Sequence, residues 1–162
     1  MGKTPKPHKA VGEDFLAEAK QSSVVHRFPF PPAMVWKALL DPVAWTEWLP
    51  ITKVTWTSPE PFGAGTTRTV EVGNEIIEET FFAWEDGRRM AFRFEASTLP
   101  VTAAVEDYRV VGVDGGCEMH WTGKAAAPLL LGGIITGQLE KGLREGMPKL
   151  EKLIAANPER FR

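Results

Sequence analysis

The segment from Phe30 to Pro50 contains clear signals for the start and end of helices, and it holds three of the six tryptophans of the chain. Pro31 and Pro32 suit a first helical turn, where the missing N–H is not needed, and Pro42 suits the boundary between two short helices. Apolar residues three and four positions apart give each helix one apolar face. These residues are Met34, Val35, Ala38 and Leu39 in the first helix and Trp45, Trp48 and Leu49 in the second. Both helices therefore need an apolar surface to pack on.

Between Thr52 and Ala127 the apolar residues follow the two-residue period of β-strands, broken by clusters of glycine, proline, asparagine and aspartate. The pattern predicts a first strand over 23–29 and six more over 52–57, 66–72, 75–84, 88–96, 102–112 and 117–126. Short turns between neighbours predict an antiparallel meander. The absence of alternating strands and helices disfavours a Rossmann-type dinucleotide fold.

One long helix is predicted over 129–156, since its apolar residues lie on a single face. They are Leu139, Leu143, Met147, Leu150 and Ile154. Gly142 and Gly146 flank this stripe, although glycine inside a helix costs about 1 kcal/mol relative to alanine. Two interpretations are open: close packing of the helix on a sheet, or space left for a ligand.

The length of 162 residues and an apolar share of 43% favour a single folded domain. We place it at 22–156, preceded by an extension over 1–21 that is partly disordered with a short helix, and followed by a tail over 157–162. Acidic residues first and a lysine last place that short helix at 13–20.

Charge, cysteine content and apolar runs indicate the partners and the location to expect. The formal net charge is −2 and no basic block occurs, so nucleic acid is not expected as a partner. The single Cys117 cannot form an intramolecular disulfide, which fits a reducing compartment. The start of the chain is polar and proline-broken, unlike a secretory signal, and the longest apolar run, 129–135, is too short to span a membrane. A cytoplasmic location is expected.

Motifs for metal, nucleotide and covalent chemistry are missing from the sequence. The three histidines fall in different predicted elements, with no cysteine cluster beside them. No glycine-rich loop with a following Lys-Ser or Lys-Thr occurs, and no Gly-x-Ser-x-Gly element. We therefore predict no metal and no cofactor.

The order of elements, with several short motifs, resembles the SRPBCC or START-like (Bet v 1-like) superfamily, and within it the polyketide cyclase/dehydrase-like family. The motifs are 31–36, 45–50, 65–68, 79–86, 99–101 and 115–121, and the resemblance covers about 22–156. It implies an α+β helix-grip fold, in which a curved antiparallel sheet of about seven strands wraps around the C-terminal helix and leaves a largely apolar pocket. It does not imply a reaction, because the same fold serves carriers, cyclases, receptors and chaperone cofactors.

Arg68 and Glu79 form the sharpest site hypothesis. Strand alternation places Arg68 on the face of Val70 and Val72, directed inward, and a buried arginine needs an acidic partner or an anionic ligand. A hairpin at 73–74 would bring the face of Glu79 beside Arg68.

The resemblance is tighter here to the lachrymatory-factor-synthase-like branch, whose members use an arginine and a glutamate on these strands for proton transfer. The spacing is shorter in this chain, so that Glu78 and Glu79 both remain candidates. The alternative is a structural ion pair at the rim of the pocket.

Aromatic and aliphatic residues on the predicted inward faces are either ligand-binding walls or plain core. They are Trp45, Trp48, Phe81, Met90, Phe92, Phe94, Tyr108, Trp121, Leu139, Leu143 and Met147. Tyr108, the only tyrosine, could present its hydroxyl to a ligand. Trp36 is expected to anchor the first helix to the sheet, and Trp45 and Trp48 to lie at the entrance of the pocket.

Three functions are compatible with these predictions. The first is binding of a hydrophobic or aromatic small molecule, lipid-like or polyketide-like, in the internal pocket. The second is a cofactor-independent cyclase or dehydratase in which Glu79 moves a proton and Arg68 stabilises the oxyanion. The third is a chaperone-cofactor-like interaction module with a filled interior and an exposed apolar patch. The sequence specifies neither the ligand nor the oligomeric state.

Overall fold

The computed structural model describes residues 3–162 and contains, within them, one antiparallel sheet of eight strands. The strands are β1 (Lys6–Pro7), β2 (Ser22–Phe28), β3 (Lys53–Trp56), β4 (Thr67–Val72), β5 (Glu75–Glu85), β6 (Arg89–Ser97), β7 (Ala103–Val113) and β8 (Gly116–Ala126). They are ordered β2-β8-β7-β6-β5-β4-β3, and β1 pairs with β6. The predicted antiparallel meander from β3 to β8 is confirmed, and β2 pairs with β8 as the edge strand of the sheet.

The α-helices are α1 (Glu13–Ala17), α2 (Pro32–Leu40), α3 (Pro42–Trp48) and α4 (Gly132–Ala156), and a short 3-10 turn over Pro128–Leu130 precedes α4. Asp41 separates α2 from α3, and its carboxylate accepts hydrogen bonds from the backbone N–H groups of Val43 and Ala44. Helix α4 starts three residues later than predicted. Leu129 and Leu130 have φ angles of 59° and 60°, which do not continue a right-handed helix.

Helix α4 packs against β8, β2 and α3, with Met147, Leu150 and Ile154 fully buried. Helices α2 and α3 pack against the same core and bury Val35, Leu39, Trp45 and Trp48 in it. This is the α+β helix-grip arrangement expected from the sequence. No helix within residues 3–162 is both long and apolar enough to cross a membrane.

The N-terminal segment is built into the sheet, which differs from the partly disordered extension that we expected. Strand β7 pairs with β6 only as far as Val105 opposite Arg93, and β1 occupies the edge of β6 beyond that point. Helix α1 is held by ion pairs from Arg89 to Glu13 at 2.7 Å and from Lys124 to Glu18 at 3.1 Å. The prediction for Met1 and Gly2 lies outside the described residues.

The C-terminal tail is also packed against the domain. The Phe161 ring is buried, and Arg160 reaches Asp41 at 3.0 Å and Glu47 at 2.9 Å. These ion pairs tie the end of the chain to the α2–α3 junction. Residue 156 is therefore the end of α4 rather than the end of the packed structure.

Candidate ligand-binding cavity

A cavity of about 220 Å³ lies between the sheet, α3 and α4. It is larger than the cavity of about 150 Å³ that holds benzene in another protein, and smaller than a typical drug-sized pocket. Most of its wall is aliphatic or aromatic. The lining residues are Trp45, Leu49, Pro50, Ile51, Arg68, Val70, Val72, Ile77, Glu79, Phe92, Phe94, Leu99, Glu106, Tyr108, Gln138, Leu139, Gly142 and Leu143. The space suits one or two rings, or the end of a longer chain.

The two helix glycines have different roles. A Cβ atom on Gly146 would lie 2.7 Å from the Trp48 carbonyl oxygen and 2.8 Å from Leu49 Cδ2, so the glycine lets α4 approach α3 closely. A Cβ atom on Gly142, which lines the cavity, would meet nothing within 4 Å. Close packing therefore explains Gly146, and open space beside the cavity explains Gly142.

Six of the predicted ligand-binding residues line the cavity: Trp45, Phe92, Phe94, Tyr108, Leu139 and Leu143. The other five are buried around it without lining it: Trp48, Phe81, Met90, Trp121 and Met147. Alternation identified the inward face of each strand. It does not distinguish a side chain that meets the cavity from one that packs against another element.

The entrance differs from the prediction. Trp45 and Trp48 are each only 1% exposed, so neither stands at an opening. The exposed lining residues are Pro50, after α3, and Gln138, on α4, and these mark the mouth of the cavity. Trp36 packs edge-to-face on Trp84 of β5 with ring centroids 5.6 Å apart, which fits its expected anchoring role.

Arg68 and Glu79 face each other across β4 and β5, and both are almost fully buried. Arg68 Nε donates to Glu79 Oε1 at 2.5 Å. Glu78 is exposed on the outer surface, so Glu79 is the glutamate that faces the cavity. The structure thus brings together the two predicted side chains, while their role in proton transfer stays a prediction.

Aromatic rings surround the Arg68 guanidinium. Its central carbon lies 4.5 Å from the Trp45 ring centroid, 4.8 Å from Phe92 and 5.1 Å from Phe81. Cation–π attraction of this kind strengthens when the cation is removed from water. Arg68 Nη1 is buried and has no hydrogen-bond acceptor within residues 3–162. The guanidinium therefore keeps an unused donor beside the cavity.

Glu106 is a site residue that sequence reasoning missed. Its Oε1 accepts hydrogen bonds from the Tyr108 hydroxyl at 2.8 Å and from Trp121 Nε1 at 2.9 Å. Trp121 reaches it by lying over Gly123, where any Cβ atom would be 2.2 Å from the indole. Gly123 is directly opposite Glu106 in the β7–β8 register. A glycine inside a predicted strand was the available signal, because it marks a close approach of another group.

Burial controls the protonation of this cluster. It raises the pKa of Glu79 from 4.5 to about 7; the Arg68 charge opposes the rise and Glu106 adds to it. Burial also raises the pKa of Glu106, against the hydrogen bonds from Trp121 and Tyr108. The pKa of Tyr108 is raised well above its usual value, again mainly by burial, so the hydroxyl stays protonated and donates. Two carboxyl groups thus share one guanidinium, in an environment that favours the neutral form of each.

Other chemistry has less support in the described part of the chain. Within residues 3–162, no group of three or more His, Cys, Asp or Glu side chains could hold a metal ion. Cys117 is buried, and burial raises the pKa of its thiol to about 11. A thiol in that state is a poor nucleophile.

Residues 20–155 match the model of the family described as polyketide cyclase / dehydrase and lipid transport. The chain belongs to this family. The predicted resemblance to the SRPBCC superfamily is thereby confirmed.

Curated relatives occur in Mycobacterium tuberculosis and Mycobacterium bovis, where they are called uncharacterized proteins. Each is 56% identical over 94 residues, which cover 56% of this chain and 56% of the relative. The matched region therefore spans little more than half the length of these relatives.

Solved structures show the same fold. A Mesorhizobium loti protein has a TM-score of 0.69 at 18% identity, over 84% of this chain and 97% of that chain. Ara h 8.0201 has a TM-score of 0.68 at 14% identity, over 85% of this chain and 98% of that chain. DynU16, from the dynemicin biosynthetic locus, has a TM-score of 0.65 at 18% identity, over 85% of this chain and 48% of that chain. At these identities the similarity is one of fold.

Proposed function

We propose that this protein binds a small hydrophobic molecule, lipid-like or polyketide-like, in the cavity between the sheet and α4. The observation that carries the proposal is the cavity itself, since its wall is formed mainly by aliphatic and aromatic side chains. The absence of a side chain at Gly142 adds to it, because glycine there costs helix stability and enlarges the space. Membership of a family described by polyketide and lipid chemistry supports the same class of ligand.

The size of the cavity limits the ligand. A volume of about 220 Å³ accommodates a one- or two-ring aromatic molecule, whereas a longer lipid would have to project through the mouth near Pro50 and Gln138. Apolar walls discriminate weakly between similar hydrophobic molecules. Selectivity would then depend on the few polar groups, chiefly the Arg68 guanidinium.

The test combines native mass spectrometry of the purified protein with titration of the fluorescent probe 1-anilinonaphthalene-8-sulfonate. We expect a retained or added small molecule in the mass spectrum and saturable binding of the probe. Leu139→Trp should abolish probe binding, because Leu139 lines the cavity. Leu153→Trp is the matched control, since Leu153 is a partly buried α4 leucine that does not line the cavity. Equal probe binding by both folded variants would refute binding in this cavity.

A second candidate is cofactor-independent proton transfer, favoured by the placement of Glu79 and Arg68 in the cavity wall. A carboxyl with a pKa near 7 exchanges a proton readily at neutral pH. Glu79 would take a proton from the carbon next to a ligand carbonyl, and the Arg68 guanidinium would stabilise the enolate oxygen. Returning a proton from Glu79 to the substrate would restore the enzyme.

This candidate is tested by following deuterium exchange into 2-tetralone in D₂O by NMR. Acceleration by the wild-type protein that is lost in Glu79→Gln and kept in Glu78→Gln would support it, because Glu78 is the exposed neighbour. No acceleration by the wild type would leave the pair with a structural role. The interaction-module alternative predicts a filled interior, and the cavity argues against it. A cytoplasmic location remains a prediction.

A further inference from the structure

A cluster of four apolar side chains projects from the start of α4. Leu129 and Leu130 are 90% and 92% exposed, and Ile134 and Leu131 are 60% and 38% exposed. We name this group the apolar tip. No charged residue occurs between positions 125 and 139. Its exposed positions, 128–131, 133–134 and 137–138, therefore carry no charge, which is unusual for a surface that meets only water.

The backbone holds the two most exposed leucines outward. Leu129 and Leu130 both have positive φ angles, a conformation that is costly for residues with a Cβ atom. Their side chains add almost nothing to the core, because so little of their surface is buried. The benefit of leucine at both positions must therefore come from outside the folded chain.

Basic side chains lie beside the apolar tip. Lys3 and Lys6 line a surface groove together with Pro128, the residue before the tip. Lys9 is close by, because its N–H donates to the Thr102 carbonyl and the Thr102 N–H donates to the Ala126 carbonyl. Lys3 forms an ion pair with Glu75, whereas Lys6 and Lys9 are exposed and form none within residues 3–162. This end of the molecule thus combines apolar and positive groups.

The tip is also next to the mouth of the cavity. Ile134 lies one helical turn before Gln138 on α4. Gln138 is an exposed residue of the cavity wall, and the next residue, Leu139, also lines the cavity. A surface that received the tip would therefore meet the opening through which a ligand reaches the cavity.

We propose that the apolar tip inserts into an anionic lipid bilayer, with Lys6 and Lys9 at the lipid headgroups. Apolar insertion together with basic residues at the headgroup level is the combination that binds a protein to a membrane surface. A projecting tip suits a deformable phase, whereas a protein partner would need a matching pocket for each leucine. A twofold dimer through this surface would bring the lysines of both copies together, and their like charges would repel.

The test is co-sedimentation of the full chain with phosphatidylcholine vesicles that either contain or lack phosphatidylserine. We expect binding to the anionic vesicles, and a loss of about tenfold or more in Leu129→Asn/Leu130→Asn. Asparagine suits these positions because it tolerates positive φ angles. Val25→Thr/Val111→Thr is the matched control, since it removes two apolar side chains that are 52% and 47% exposed on β2 and β7. Lys6→Gln/Lys9→Gln should lower binding to the anionic vesicles in particular.

Several results would overturn the proposal. One is the absence of wild-type sedimentation with anionic vesicles, and another is equal sedimentation of the tip variant and the control variant. A concentration-dependent dimer, seen by light scattering and removed by the tip variant, would assign the tip to a second copy instead. None of these measurements depends on occupancy of the cavity, so the membrane proposal and the ligand-binding proposal can fail separately.

Discussion

Arg68→Met isolates the contribution of the buried ion pair. Methionine keeps an apolar side chain of similar length between Trp45 and Phe92, but it removes the charge that stabilises ionised Glu79. The Glu79 carboxyl then has no counter-ion, and its pKa rises further above the value of about 7 that it has beside Arg68.

The sign of the pH effect follows from proton binding. Because the folded pKa is raised, the folded state keeps a proton that the unfolded state releases, and stability falls as pH increases above 4.5. In the wild type this fall is worth about 3 kcal/mol and ends as pH passes about 7. In the variant it continues, at about 1.4 kcal/mol per pH unit, for as long as Glu79 stays protonated.

The difference in free energy of unfolding between the two proteins should therefore change by about 3 kcal/mol between about pH 5 and about pH 9, with the variant losing the more stability. Urea denaturation followed by tryptophan fluorescence measures this difference. Removing Arg68 also removes a charge that lowers the pKa of Glu106, so Glu106 adds to the loss of stability of the variant at high pH.

Two controls sharpen this experiment. Arg68→Met/Glu79→Leu removes both members of the pair, and its stability should fall less at high pH than that of Arg68→Met, since position 79 then carries no carboxyl to ionise. Arg93→Met breaks the more exposed pair with Glu95 and should cost less than about 1 kcal/mol. Stability curves of Arg68→Met and wild type that run parallel from acid to alkaline pH would refute the reasoning.

Three further predictions follow from the packing of the core and the cavity wall. Gly146→Ala should lower stability by about 1–3 kcal/mol, because its methyl group would overlap α3. Gly142→Ala should raise stability by up to about 1 kcal/mol and weaken probe binding, because its methyl group would extend into open space beside the cavity. Urea denaturation measures the changes in stability, and fluorescence titration measures probe binding. Glu106→Gln should be nearly neutral and Glu106→Leu should cost about 1–3 kcal/mol for each donor left without an acceptor, measured by urea denaturation. Cys117 should resist iodoacetamide in the folded protein and react only on unfolding, as followed by mass spectrometry.

Each of these has an outcome that contradicts it. Equal stability of the two glycine variants would mean that α3 and α4 are not in close contact at Gly146. A glutamine at 106 as damaging as leucine would show that the charge, and not the acceptor oxygen, holds Tyr108 and Trp121. Rapid alkylation of Cys117 in native buffer would place its thiol at the surface.

Local patterns predicted the elements and the pairing of Arg68 with Glu79. Prolines and Asp41 set the limits of α2 and α3, because they act on the backbone of their own helices. Arg68 and Glu79 could be paired in advance, since strand alternation and a short hairpin together determine which residues lie opposite each other.

Other features depend on contacts between distant parts of the chain. The pairing of β1 with β6 and the burial of Phe161 join segments that no local pattern connects. Glu106 belongs to the site because Trp121 crosses Gly123 on the neighbouring strand. No repeating pattern of apolar and polar residues marks any of these contacts in the sequence.

The amino-acid sequence alone determined which faces of the strands and of α4 are apolar, because the direction of a side chain follows from the backbone period. It could not determine where these faces meet and where they leave a gap. Phe92 meets the cavity while Met90, on the same face of β6, is buried beside it. That difference depends on the distance between the sheet and α4, which the packing of all the elements sets together.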